Sequence, residues 1–112
     1  MLRDARTIER TLARLHEDEG RLIDIVRDLP RLNRRQREML QEVIVVPTTE
    51  FWVSRLSERF GAVYSTVRAD LRGLHGMGML SLTVRGATHV YRPVENLAEV
   101  LERASKKVGL RS

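Results

Sequence analysis

Four arginines between residues 55 and 72 form two pairs, Arg55 with Arg59 and Arg68 with Arg72, each four residues apart. That spacing places both members of a pair on one face of a helix. Tyr64, Ser65 and Thr66 put three hydroxyls just ahead of the second pair, and Ala69 puts a small apolar group inside it. A guanidinium fits a phosphate or a guanine edge, hydroxyls serve either, and small apolar groups touch the thymine methyl. Arg85 and Thr88 repeat the cation and hydroxyl pairing around Gly86. The chemistry on offer is reversible recognition of a polyanion that carries bases.

Reaction chemistry has little to stand on. His16, His75 and His89 are far apart, and no two share a ligand spacing. Glu17-Asp18-Glu19 is a charge run of the kind that usually faces solvent. The chain holds no phosphate-cradling glycine loop, nucleophile elbow or metal-ligand cluster, so no enzymatic activity, cofactor or metal is expected.

The formal net charge is +5 over 112 residues, which favours an anionic partner. Residues 1–32 balance seven arginines against seven acids, whereas residues 33–93 carry nine basic side chains against five acidic ones. Most of the positive field therefore lies on the segment with the paired arginines. Of the 20 basic residues 18 are arginine, a preference that a GC-rich coding bias explains as well as function does. There is no cysteine, hence no disulfide framework and no thiolate site. The longest purely aliphatic run, Val43–Val46, is far too short for a bilayer, and the N-terminus lacks a signal-peptide apolar core. A soluble cytoplasmic protein with no membrane partner is expected.

Several elements position these groups. Residues 4–29 are helical by period: Ile8, Leu12, Leu15, Leu22, Val26 and Leu29 alternate at four- and three-residue steps, with Glu19 as a polar member. This seam suits packing on another helix, either within the chain's own core or in a dimer. Gly20 is a candidate break and Pro30 ends the segment. Asn33 is a good N-cap for a second helix through Leu40, Val43 and Ile44, which the stretch Val45–Thr49 stops. Phe51–Val53 reads either as a short strand or as the approach to a helix capped by Thr49, and Phe51 and Trp52 read as core. A third helix buries Val53, Leu56 and Phe60 and ends at Gly61. A fourth buries Val67, Leu71 and Leu74, leaves Thr66, Arg68, Ala69 and Arg72 outward, and ends with Gly78 as its left-handed residue. Leu80–Val84 and His89–Arg92 alternate as strands about a four-residue link, and Pro93 closes the second. A last helix over about residues 95–108 carries Leu97, Leu101, Ala104 and Val108.

Helix, helix, recognition helix and hairpin in that order is a winged helix, and the residues carry a resemblance. Leu56-Ser57-Glu58-Arg59-Phe60-Gly61, followed by Thr66-Val67-Arg68-x-Asp70-Leu71-x-x-Leu74-x-x-x-Gly78-x-Leu80, resembles the N-terminal helix-turn-helix of DeoR-family repressors, and Gly86-Ala87 falls at that family's wing. The resemblance covers roughly residues 52–87. Val63 stands where that family commonly has a capping Ser, which shifts the expected cap to Ser65, and Ala69 stands where a second Arg is usual. The family's large C-terminal sugar-phosphate sensing domain has no counterpart up to Ser112, so no sugar effector is carried over and any effector ligand is unknown. Terminal helices around a winged helix are similar to small MarR-like and PadR-like regulators, in which those helices make the dimer. The hairpin ending in Val90-Tyr91-Arg92-Pro93 is similar to the wing of penicillinase-repressor-like proteins.

The expected fold is mainly α with a small β-hairpin wing: a winged helix-turn-helix over residues 33–93, flanked by N-terminal (1–32) and C-terminal (94–112) helical segments for dimerisation. The expected function is sequence-specific binding of double-stranded DNA as a homodimeric transcriptional regulator, a repressor above all. The recognition helix 65–77 would enter the major groove and the wing 80–92 would meet the minor groove or backbone. Tyr64, Ser65, Thr66, Arg68 and Ala69 are the candidates for base contacts. Arg55, Arg59, Arg72, Arg85 and Thr88 are the candidates for backbone contacts, which position without specifying. Ile8, Leu12, Leu15, Leu22, Leu97 and Leu101 are the candidates for the dimer interface. Asp70 is expected to form an exposed pair with a neighbouring Arg. The alternatives are a winged-helix adaptor that binds protein, and an architectural DNA-binding protein of low specificity.

Overall fold

The apolar periods resolve into five helices and three strands in a computed structural model, which describes residues 18–107. In chain order these are α1 (Glu19–Asp28), α2 (Arg34–Val45), β1 (Phe51–Trp52), α3 (Val53–Phe60), α4 (Tyr64–Gly76), β2 (Leu80–Arg85), β3 (Thr88–Pro93) and α5 (Leu97–Lys107). The strands form one antiparallel sheet in the order β1-β3-β2, with Phe51 opposite Tyr91 and Leu82 opposite the same Tyr91. The chain has the winged-helix architecture: α2, α3 and α4 carry the helix-turn-helix, and the β2–β3 hairpin is the wing.

Each boundary has a local cause. Asn33 starts α2 with a full capping box: its side chain accepts from the Gln36 N–H, and the Gln36 side chain accepts from the Asn33 N–H. The turn between α3 and α4 needs a left-handed residue, and Gly61 supplies it at φ 61°. Ala62 N–H then donates to the Ser57 carbonyl, and the Ser57 hydroxyl donates to the Ala62 carbonyl at 2.6 Å, closing the turn. Helix α4 ends as its sequence indicates, with Gly78 at φ 77°.

One core joins all of these elements. Leu22 and Val26 of α1, Leu40 and Ile44 of α2, Val67, Leu71 and Leu74 of α4, and Leu97 and Leu101 of α5 are all fully buried in it. Helix α1 packs against both α2 and α5. Arg21 of α1 hydrogen-bonds Glu102 of α5, and Arg37 of α2 donates to the Leu29 carbonyl at the end of α1 (2.8 Å).

This arrangement corrects several expectations. Leu22, Leu97 and Leu101 were expected at a dimer surface, but each is fully buried within the single chain, so they are not available to a second copy. Ile8, Leu12, Leu15 and Val108 lie outside the described residues. Helix α1 starts at Glu19, beside the candidate break at Gly20, and the residues before Asp18 lie outside the described ones. The wing link is two residues, Gly86-Ala87, because Arg85 and Thr88 already pair. Ser65 does not cap α4; the helix begins one residue earlier, with Val63 at the N-cap and no side-chain cap.

Replacing Leu101 by Glu should therefore unfold the protein. An unpaired buried carboxylate costs several kcal/mol, against a total stability of about 5–15 kcal/mol. Circular dichroism should show lost helicity; a folded, fully helical Leu101→Glu monomer would place this side chain on a surface instead.

Candidate nucleic-acid interface

Helix α4 carries a single acid, Asp70, and it occupies a core position. Val67, Asp70, Leu71 and Leu74 are the buried residues of the helix, at i, i+3, i+4 and i+7. The Asp70 side chain is only 5% exposed. It accepts from Asn33 Nδ2 at 2.7 Å and from Arg35, at 2.5 Å from Nε and 3.3 Å from Nη2. Gln36 Nε2 donates to the Asp70 backbone carbonyl at 3.0 Å. The two amides that cap α2 with their oxygens thus grip α4 with their nitrogens. Gly73 makes room for this: a Cβ there would come within 2.8 Å of Gln36 Nε2. Asp70 was expected to form an exposed pair; it is instead a buried tie between the start of α2 and the middle of α4.

With its acid turned inward, the outer face of α4 is cationic and polar. Tyr64, Ser65, Arg68, Ala69 and Arg72 are exposed and Thr66 is half-buried. Neither Arg68 nor Arg72 has a hydrogen-bond or ion-pair partner among the described residues. Beside the first two turns a cleft of about 350 Å³ opens between helix and wing. It is lined by Tyr64 and Arg68 of α4, by Ala87, Thr88 and His89 of the wing, and by Trp52, Val53 and Ser54. Val63 gives the helix start no side-chain cap, and the Thr66 N–H turns back to the Val63 carbonyl at 3.1 Å.

The remaining arginines divide into held and free. Arg59 donates to Glu42 of α2 at 2.7 Å and lies over the Phe60 ring. Arg92 of β3 hydrogen-bonds Glu50, and Arg85 at the wing tip lies 3.8 Å from the same carboxylate. Arg55 stacks over the Trp52 ring, 5.0 Å from its centroid. Hydrogen bonding from Arg92, followed by the charges of Arg92 and Arg85 and a contact from the Trp52 side chain, holds the Glu50 carboxyl below the usual glutamate range.

Of the ten residues singled out for contact, the cleft gathers Tyr64, Arg68 and Thr88. Ser65, Thr66, Ala69 and Arg72 share their helix; Arg55, Arg59 and Arg85 stand away from the cleft wall, the last two engaged by acids. Trp52 was expected in the core, but it is half-buried and lines the cleft, whereas Phe51 is buried as expected. Sequence reading missed Glu42 and Glu50, whose partners are distant in the chain. It also missed Arg35, although an acid inside an apolar stripe was a signal that some cation had to reach it. His75 meets Tyr91 edge-on, with centroids 6.2 Å apart.

No family model matches the chain, and no curated protein matches it. The fold is similar to that of a solved structure named as a possible transcriptional regulator from Methanosarcina mazei Go1. The match has 13% identity and a TM-score of 0.62, over 76% of this chain and 77% of that one. No described helix is long and apolar enough to cross a membrane.

Two outcomes follow from the tie and the clamp. Asp70→Ala leaves Asn33 Nδ2 and Arg35 without their acceptor and should cost about 1–3 kcal/mol in urea denaturation; an unchanged midpoint would mean the tie contributes nothing. For Glu50, the carboxyl is depressed in the folded chain. Its contribution is therefore present above the ordinary glutamate range and is lost as pH falls through the lower, folded value. Emission from Trp52, the chain's one tryptophan, should shift in that acid range, and the step should vanish in Glu50→Gln.

Proposed function

We propose that the protein binds double-stranded DNA in a sequence-specific manner as a transcriptional regulator. The carrying observation is the outer face of α4, where Arg68 and Arg72 are exposed and unpaired among the described residues while Asp70 is turned into the core. A helix of this kind enters a major groove with its N-terminal turns against the bases. Arg68 is the guanine reader, Tyr64, Ser65 and Thr66 read neighbouring edges, and Ala69 allows a thymine methyl to approach. Arg72 and Arg55 engage phosphates, and the wing from Arg85 to Thr88 lies on the adjacent backbone or minor groove.

Repression by occupancy is the simplest mode for a module of this size. Two copies on a two-fold site supply the base contacts that one copy lacks. Leu22, Leu97 and Leu101 are committed to the core, and Ile8, Leu12 and Leu15, the other residues expected at a pairing surface, lie outside the described residues. Support for the DNA reading comes from the cationic helix face, the cleft beside the wing, and a fold shared with a protein named as a possible regulator.

Fluorescence anisotropy on a pool of genomic fragments, at about 50 and about 200 mM salt, tests the reading over a range where several phosphate contacts cost orders of magnitude. One fragment surviving the higher salt marks a specific regulator, and loss of all fragments together marks a non-specific binder. No binding at the lower salt assigns the winged helix to a protein partner. On the surviving fragment, Arg68→Ala should relax preference at one base position by about 1–3 kcal/mol; an unchanged preference removes Arg68 as the reader.

A further inference from the structure

The β2–β3 wing carries the arginines Arg85 and Arg92 and no acid of its own. The acid that meets both comes from outside it. Glu50 sits immediately before β1, and β1 pairs with β3 through Phe51 and Tyr91. This brings the Glu50 carboxylate onto Arg92 and within 3.8 Å of Arg85, so one side chain spans β1, β3 and β2. Both arginines remain exposed and Glu50 is half-buried, so the pairs lie at the surface. Exposed pairs of this sort contribute little to stability, so holding the fold together does not account for the clamp.

Its effect on recognition is larger. Binding to arbitrary DNA is almost wholly cation–phosphate attraction, and each additional contact steepens the salt dependence by about 0.9 log units per decade. Free wing arginines would raise affinity for every duplex alike, and the ratio between a cognate site and the rest would fall. Resting on the DNA-binding reading above, we propose that Glu50 is a specificity-determining residue. It occupies Arg85 and Arg92 in the free protein and withholds them from indiscriminate phosphate binding. Arg68 and Arg72, which no acid holds among the described residues, then dominate the encounter, and base sequence is read where Arg68 lies. A phosphate gains a wing arginine only by displacing the carboxylate, which requires the duplex to be well seated. The same contacts lower the Glu50 carboxyl below its usual range, the hydrogen bond from Arg92 first among them.

The test is a salt titration of Glu50→Gln and wild type on a non-cognate duplex by fluorescence anisotropy, with thermal melting as the folding check. The variant should bind about eightfold more tightly near 0.1 M salt, one contact's slope of about 0.9 taken over the decade below 1 M. Its slope should steepen by at least that amount, and Arg85→Gln with Arg92→Gln in the variant background should remove the gain. The same two arginine changes in otherwise wild-type protein should leave the non-cognate slope nearly unchanged; if they flatten it, the arginines were never withheld and the proposal fails, even should Glu50→Gln itself not fold. Equal slopes for wild type and a folded Glu50→Gln would overturn the role of Glu50 while leaving the DNA-binding reading intact. Absence of binding by both at about 50 mM salt would overturn the two together.

Discussion

The buried carboxylate of Asp70 is the constraint around which the interface is arranged. An ionised group at a core position is tolerable only with several donors, since burying it unpaired costs several kcal/mol. Asn33 and Arg35 meet the carboxylate while Gln36 takes the backbone carbonyl, and all three come from the first turn of α2 or its cap. Rotation or sliding of α4 against α2 would break these contacts at once, whereas the apolar contacts of Val67, Leu71 and Leu74 would tolerate small shifts. The tie therefore gives α4 a defined register, and Gly73 is the absent side chain that lets it close. Placement of Arg68 and Arg72 follows from that register, because both flank Asp70 at two residues' distance and so lie on the opposite side of the helix.

The same economy of charge runs through the rest of the molecule. Acids sit where they neutralise particular arginines: Glu42 on Arg59, Glu50 on Arg92 and Arg85, Asp70 on Arg35. What is left unheld among the described residues includes Arg68 and Arg72 on the outer face of α4, with Arg55 stacked on Trp52 nearby. A net charge of +5 understates this. The field that a ligand meets first is set by the few cations without partners rather than by the sum over the chain.

Elements governed by local rules were legible in the sequence. Asn33 announces an N-cap, Val67, Leu71 and Leu74 announce a buried helix face, Gly61 announces a helix end and Gly78 a left-handed stop; each is found as read, and the Gln36 half of the capping box is added by the structure. Features governed by tertiary neighbours were not legible. The stripe of Leu22, Leu97 and Leu101 fits a dimer seam as well as a core, and only the approach of α1 to α5 decides that the chain buries it internally. Trp52 reads as core by type, yet its neighbours across the sheet leave one side open to the cleft. The clamps by Glu42 and Glu50 join residues remote in sequence, and no periodic pattern encodes them. The candidate contact residues were thus found by type and spacing, and the structure sorted them by which acids they meet.

The contrast between the two helix starts carries the functional reading furthest. Helix α2 has both halves of a capping box, and its start is turned into the protein, where its side chains hold α4. Helix α4 has no side-chain cap at all, with Val63 68% exposed at the position where a Ser, Thr, Asp or Asn is worth about 1 kcal/mol. The first helix obeys the local rule and the second departs from it, at the point where Tyr64 and Arg68 border the cleft to the wing. Departures from local rules concentrate where a surface serves a partner rather than the fold. An uncapped helix start leaves N–H groups and the positive end of the helix dipole unsatisfied, which suits an anion. With Arg68 one turn further along, the departure from the capping rule and the unpaired guanidinium lie on the same end of the helix.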